Sequence, residues 1–217
     1  MVAMQEEVSV AALIGDVVGS RRAVDRVDLH HRLDKLVARA NDELQPLVPL
    51  RITVGDEYQA CFETVGEALH AAIWLRLNLL PDADLRHGVG WGPVELLDRD
   101  PRVEDGPGWW AAREAIEWAK AEAARSSLRH LRTVYRRHAS AKGPGAEGVN
   151  AALVCRDQMV GSMSQRSLRL LQGGFAGRSQ AMLAEEEGVS ASAISQRFRN
   201  DGLAAVLAAE ELLRRVT

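Results

Sequence analysis

An α+β fold of ferredoxin-like βαββαβ order, followed by an all-α unit, is the architecture the sequence predicts, and three observations predict it. Short apolar runs of strand character recur through the first 95 residues. Two stretches with apolar residues spaced three and four apart interrupt them. Beyond Pro107 the strand signal gives way to helix formers separated by glycine and serine. At 217 residues, 47% hydrophobic and 26% charged, the chain has the composition of an ordinary globular protein with room for one large domain and a small satellite. The expected division is an α+β domain over 1–142 and a helical domain over 143–217.

Taken in order, Val8, Val10, Ala12 and Ile14 alternate while Ala11 and Leu13 between them are also apolar, the pattern of a central strand covered on both faces. After Gly15-Asp16-Val17-Val18-Gly19-Ser20 the period changes. Leu29, Leu33, Leu36, Val37, Ala40 and Leu44 then mark an amphipathic helix that stops before Pro46. Leu50, Ile52 and Val54, then Tyr58, Ala60 and Phe62, form two alternating runs joined by Gly55-Asp56-Glu57, the layout of a tight hairpin. Val65, Leu69, Ala72, Ile73 and Leu80 give a second helix, and residues 85–95 return to a strand. Residues 109–138 read as helix, 140–148 as a linker, and 150–161, 164–172, 179–187, 190–199 and 203–215 as five short helices.

The formal net charge of −3 hides an uneven distribution. Arg125, Arg129, Arg132 and Arg136 stand at offsets of 4, 7 and 11, which on a helix would make a basic ridge able to grip DNA or phosphates. Cys61 and Cys155 fit neither a disulfide framework nor a zinc-ligand spacing, and no apolar run approaches the ~20 residues that cross a bilayer. The expectation is a cytoplasmic protein with no membrane partner.

Asp16 follows the first strand and Asp56 sits in the hairpin. In a βαββ order the crossover sets the first and third strands side by side, so both acids can face one point at the sheet's edge. Two converging carboxylates suit a hard cation such as Mg²⁺, or Mn²⁺, that shares its shell with phosphate. The amides of Val17, Val18, Gly19 and Ser20, with Arg21 and Arg22 beside them, would then form an anion site able to receive phosphates. Each acid taken singly also suits a turn or cap.

The segments 12–20, 52–60 and 85–94 resemble the signature segments of class III nucleotidyl cyclases. Gly55-Asp56-Glu57-Tyr58 also resembles the GGDEF diguanylate cyclases, and the whole chain is similar to the SatD family of bacterial proteins. The resemblance implies that Asp16 and Asp56 hold two Mg²⁺ ions with the Val17 carbonyl as an added ligand, and that Arg113 stands where cyclases keep a catalytic, transition-state arginine. Two departures weigh against fast turnover. Trp109 replaces an asparagine and Ile52 replaces a base-reading lysine, and losing an oriented polar group at a transition state typically costs about 10²- to 10³-fold in rate.

In residues 179–198, Leu183 and Ala184 can pack a first helix, Gly188 permits a sharp turn, Val189 plugs the corner, Ser190 caps a second helix and Ile194 anchors it. This resembles the helix-turn-helix of sigma factors and small repressors. The expected DNA-contacting set is Arg178, Ser179, Gln180, Ser190, Ala191, Ser192, Ser195, Gln196 and Arg199. Leu203, Val206, Leu207, Leu213 and Val216 offer either a homodimer seam or core packing. The leading reading is a DNA-binding transcriptional regulator whose first domain senses a purine nucleotide with a metal ion. An active Mg²⁺-dependent purine nucleotide cyclase and a non-catalytic protein-interaction module are the alternatives.

Overall fold

The computed structural model describes residues 8–20, 25–100 and 102–217. Its first elements are β1 (Ser9–Val17), α1 (Arg26–Leu44), β2 (Val48–Ile52), β3 (Tyr58–Phe62), α2 (Val65–Leu79) and β4 (Leu85–Pro93). A small hairpin, β5 (Glu95–Arg99) and β6 (Arg102–Asp105), precedes α3 (Pro107–Ala123) and β7 (Thr133–Arg137). Five further helices follow: α4 (Ala146–Gly161), α5 (Gln165–Phe175), α6 (Gln180–Glu186), α7 (Ala191–Asn200) and α8 (Leu203–Leu213). The main sheet has the order β2-β3-β1-β4-β7, with β7 parallel to β4 and the other neighbours antiparallel. Among the described residues the arrangement is therefore mixed α+β, one sheet and a hairpin with eight α-helices.

Strand β1 is central because both of its faces are apolar. Ala11, Leu13 and Val17 enter the core shared with α1 and α2, whereas Ala12 and Ile14 pack with Trp109, Ala112 and Ile116 of α3 on the opposite face. Helix α3 approaches closely because β4 presents Gly88 and Gly90 to it. A Cβ at Gly88 would lie 2.2 Å from the Ala112 carbonyl oxygen, and one at Gly90 would lie 2.2 Å from the Ala112 nitrogen and the Gly108 oxygen. The two-layer, four-stranded expectation is corrected here: a fifth strand joins the sheet and a helix covers its second face.

Residues 109–138 do not form one helix. α3 ends at Ala123, a 3₁₀ turn spans Ser126–Leu128, and Thr133, Val134 and Tyr135 are buried in β7. β-Branched and aromatic side chains fit a half-buried pleat better than a helix. The basic ridge disappears with the helix: Arg125 pairs with Glu122, Arg132 with Asp84, and Arg136 lies 3.9 Å from Glu114. The expected linker is likewise fastened down. Trp91 Nε1 donates to the Lys142 carbonyl at 2.8 Å, Arg137 to that of Gly143 at 2.9 Å, and the Tyr135 hydroxyl to that of Pro144 at 3.1 Å.

The last five helices share their core with the sheet domain. Ile73 and Leu77 of α2 cluster with Leu168, Leu171, Leu183, Ile194, Phe198 and Val206, while Val149, Leu153 and Leu213 join the main core. Of the stripe, Leu203, Val206 and Leu213 are buried and Leu207 and Val216 pack half-buried against the core, so it serves core packing. A closed ionic network reinforces the junction. Asp157 of α4 accepts from Arg76 (3.2 Å) and from the amides of Arg132 (2.7 Å) and Thr133 (2.6 Å). Asp84 accepts from Arg76 (2.7 Å) and Arg132 (2.6 Å), and Arg156 donates to Glu210 of α8 (3.2 Å) and to the Thr133 hydroxyl (3.0 Å).

Candidate functional site

The adjacency of β3 and β1 brings the two aspartates together. Asp16, in phase with Ala12 and Ile14, lies on the α3 face of the sheet, and Asp56 Oδ2 accepts from the Val17 amide at 3.1 Å, one residue beyond Asp16. Burial pushes the Asp16 carboxyl above the usual aspartate range. Arg86 opposes that shift, while the negative charge of Asp56 adds to it. The two acids, far apart in the sequence, thus sense each other.

Three residues that sequence reasoning left out complete the cluster. Arg86 is the β4 partner of Asp16 across the ladder, and its Nη1 lies 3.2 and 3.1 Å from the two Asp16 oxygens. Arg86 is 8% exposed, and its Nε has no partner among the described residues. Glu57, next to Asp56, binds Arg113 of α3 end-on, accepting at 2.6 and 2.7 Å. That hydrogen bond holds Glu57 below the usual carboxylate range against its partial burial. Lys120, seven residues beyond Arg113 on α3, adds a positive field that acts against the rise at Asp16. The alternation that sets Asp16 on the α3 face, combined with the antiparallel register of β4, was the signal that could have found Arg86.

The phosphate loop differs from its expectation. Val17 donates its amide to Asp56, and Val18 donates its own to the Asp84 carbonyl at 2.8 Å. Those two amides are therefore engaged, leaving Gly19 and Ser20 as the members of the set whose amides have no partner among the described residues. Arg21, with Arg22, lies outside the described residues. Helix α1 is capped by Asp25, whose side chain accepts from Asp28, so acids already occupy its N-terminus. Between α1 and the hairpin lies a cavity of about 330 Å³, lined by Ser20, Val27, Leu29, Leu33, Gly55 and Asp56, within the size range of small-molecule sites. Trp109 and Ile52, the two departures from the cyclase pattern, are buried and half-buried.

The donor chemistry fits a hard divalent cation in one way. Two carboxylates and a main-chain oxygen are suitable ligands, with water and phosphate taking the remaining positions. Among the described residues no group of three His, Cys, Asp or Glu side chains forms a protein-only cage. Asp16 must also share itself with Arg86.

The residues expected to meet DNA lie on α6, α7 and their N-terminal caps. Ser179 and Ser190 cap the two helices by accepting from the Met182 and Ala193 amides, and Gly188 turns between them at φ +63°. Gln180, Ala191, Ser192, Gln196 and Arg199 are exposed. Arg178 is spent on Glu186 at 2.6 Å, and Arg199 donates to the half-buried Ser195 at 3.0 Å. Arg166 and Arg169 pair with Glu187, Arg197 with Asp201, and Arg215 with Glu211. Of the seven arginines beyond Gly161, Arg199 and Arg214 are the two with no acidic partner among the described residues. Among those residues, too, no helix is long and apolar enough to cross a membrane.

Comparison with known proteins gives a family and a set of distant likenesses. No curated protein matches the chain. Solved structures that resemble it include a bacterial light-regulated adenylyl cyclase (14% identity over 52% of this chain and 40% of that one, TM-score 0.43). Others are the catalytic core of a rhodopsin-guanylyl cyclase (16%, 52% and 73%, 0.44) and the adenylyl cyclase CyaB from P. aeruginosa (13%, 48% and 69%, 0.37). The chain spans less than half the length of the first of these. The SatD family model matches residues 10–130, more than half of the chain. The chain belongs to the SatD family.

Proposed function

We propose that the acid pair at the end of β1 is a nucleotide site of cyclase type, which binds a purine nucleoside triphosphate together with Mg²⁺ or Mn²⁺. The observation that carries this reading is the convergence of Asp16 and Asp56 at one strand end, with Arg113 and Lys120 on the helix above. The cyclase-like signature segments that hold the two aspartates agree with it. Asp16 and Asp56, with the Val17 carbonyl, would hold the metal, which when bound neutralises phosphate oxygens. Arg113 would balance the charge that grows on the phosphates as the ribose 3′-oxygen bonds to the α-phosphorus, the 3′-hydroxyl proton is released and pyrophosphate leaves. Trp109 and Ile52 remove two polar groups that such chemistry uses, so turnover is slow and binding is the retained property.

The test has two readouts. The full chain is titrated with Mn·ATP and Mn·GTP, and the mixtures are assayed for 3′,5′-cyclic product by mass spectrometry. Asp16→Asn and Asp56→Asn should each weaken binding by more than the roughly 10- to 100-fold typical of outer-shell changes. Nucleotide binding that ignores both substitutions would sink the reading.

A second reading rests on the α6–α7 pair. The capping serines, the left-handed Gly188 and the buried Ile194 and Phe198 suit a helix-turn-helix, and α7 presents a small polar face. In that reading residues 1–142 carry the nucleotide site, residues 143–217 form a DNA-binding unit, and the protein acts as a cytoplasmic homodimer. The arginines held in ion pairs argue for weak phosphate contact, because affinity for DNA scales with the phosphates neutralised. The cyclase-type site is therefore the better supported of the two.

A further inference from the structure

The acids at the candidate site already have basic partners before any ligand arrives. Asp16, Asp56 and Glu57 carry three negative charges, and Arg86, Arg113 and Lys120 carry three positive ones, with Glu117 one turn beyond Arg113 on α3. The partners are specific. Arg86 Nη1 lies against both Asp16 oxygens at 3.1–3.2 Å, in the place a cation beside that carboxylate would take. Glu57 grips Arg113 with both oxygens at 2.6–2.7 Å, as a phosphate would. Asp16 and Arg113 feel each other's charge, so the two pairs belong to one site.

We propose that Arg86 and Glu57 are internal stand-ins for the two halves of a metal–polyphosphate ligand, and that the site selects the metal complex over either ion alone. This rests on the reading of the site given above. A lone metal ion must draw Asp16 away from Arg86, which strands a guanidinium that is 8% exposed and whose Nε already has no partner among the described residues. A lone polyphosphate must evict Glu57 from Arg113, and then two carboxylates, Glu57 and Asp56, face added negative charge with no cation gained. When metal and phosphate arrive together, the metal replaces Arg86 at Asp16, a phosphate oxygen replaces Glu57 at Arg113, and the released Arg86 has phosphate oxygens to bind. Neither Arg86 nor Glu57 needs to touch the reacting atoms. They are selectivity residues that act through Asp16 and Arg113.

The experiment compares three probes on the full chain by titration calorimetry: free Mn²⁺, metal-free tripolyphosphate, and preformed Mn·tripolyphosphate. The wild-type protein should bind the complex more tightly than either ion by a coupling factor on the order of 10- to 100-fold. Glu57→Gln, on a half-buried hairpin position, should strengthen metal-free tripolyphosphate on the order of tenfold and narrow that preference. Arg86→Gln should do the same for free Mn²⁺; if that variant does not fold, Glu57→Gln alone decides. Wild-type protein that holds Mn²⁺ alone as tightly as the complex, or a Glu57→Gln protein with no gain for the free anion, overturns the exchange. Failure of the wild type to bind the complex at all overturns both this proposal and the nucleotide reading. Binding that is tight and lost in Asp16→Asn, but without gain in Glu57→Gln, overturns the exchange alone.

Discussion

Two charge clusters of nearly equal composition lie on either side of β4, and they differ in what surrounds them. At the rim, Asp16, Asp56 and Glu57 face Arg86, Arg113 and Lys120, with Glu57 and Arg113 open to water and α3 as the cover. At the junction, Asp84, Asp157 and Glu210 face Arg76, Arg132 and Arg156 beneath α4 and α8, and Arg76, Arg156 and Asp157 are 0–1% exposed. Both are neutral in sum. In the rim, water and ligands can compete for Glu57 and Arg113, so that ion pair is an exchangeable contact worth little to folding. In the junction the central groups Arg76, Arg156 and Asp157 are shut off from solvent, Asp84 and Arg132 lie half-buried at its edge, and every acid is bound by two or more donors. The position of a pair, more than its chemistry, decides whether it is a site or a fastening. The two are also joined, since Asp84, bound through its carboxylate to the junction arginines, accepts the Val18 amide just beyond Asp16.

The largest effect that would break this comparison comes from Asp157. Asp157→Ala leaves Arg76 short of a partner and the Arg132 and Thr133 amides without their acceptor. Removing one member of a buried pair costs about 3–5 kcal/mol. Urea unfolding of the variant should show that loss, while Glu57→Gln at the rim should stay within about 1 kcal/mol of the wild type. Equal losses at the two sites would erase the distinction between fastening and site.

The next effect, of about 1–3 kcal/mol, belongs to Gly90→Ala, because the added methyl would overlap the α3 backbone and force the helix off the sheet. Arg113 and Lys120 ride on that helix. The variant should therefore lose Mn·tripolyphosphate affinity as well as stability, whereas Asp157→Ala, measured where it is still folded, should keep most of its affinity. A Gly90→Ala protein with full affinity would mean that α3 contributes nothing to the rim.

Much of this arrangement is legible in the sequence, for physical reasons that also mark where legibility stops. The unbroken run from Val10 to Ile14 announced a strand covered on both faces, and the βαββ order placed it beside the hairpin, so the meeting of Asp16 and Asp56 followed from topology. The short helices beyond Asn150 were readable from their serine caps and glycine breaks. β7 was not, because Arg132, Arg136 and Arg137 around Thr133-Val-Tyr give a strand at the sheet's edge the look of a charged helix face. The β5–β6 hairpin, mostly charged and exposed, carries almost no burial signal. Arg86 and Glu57 were missed because their roles depend on which partner lies across the ladder or on the facing helix, and periodicity along one segment holds no such information.

The smallest effect, on the order of 1–2 kcal/mol between about pH 6.5 and pH 5, belongs to a group that lies between the two clusters. His87 of β4 is 0% exposed, 2.6 Å from the Tyr58 hydroxyl, and pushed down to about 3 by burial and by the nearby charges of Arg76 and Arg156. An unfolded chain takes up a proton at this residue near pH 6.5, and the folded protein does not. The unfolded state therefore binds more protons as pH falls below 6.5, and stability drops, with a slope approaching about 1.4 kcal/mol per pH unit until the folded value near 3 is reached. Asp84 adds its own loss later. Burial raises its carboxyl, Arg76 and Arg132 more than offset that, and the stability it contributes above about pH 3.9 goes as pH falls through its lowered value. Urea midpoints at about pH 7 and pH 5 separate Asp84 from the histidines, of which His87, fully buried, carries the main loss and His130, which burial also lowers, adds to it. A His87→Gln protein should be less stable at about pH 7 yet lose much less than the wild type between the two pH values. An unchanged slope in that variant would assign the acid sensitivity to His130, whose value burial also lowers, and would free the space between the two clusters from any electrostatic role.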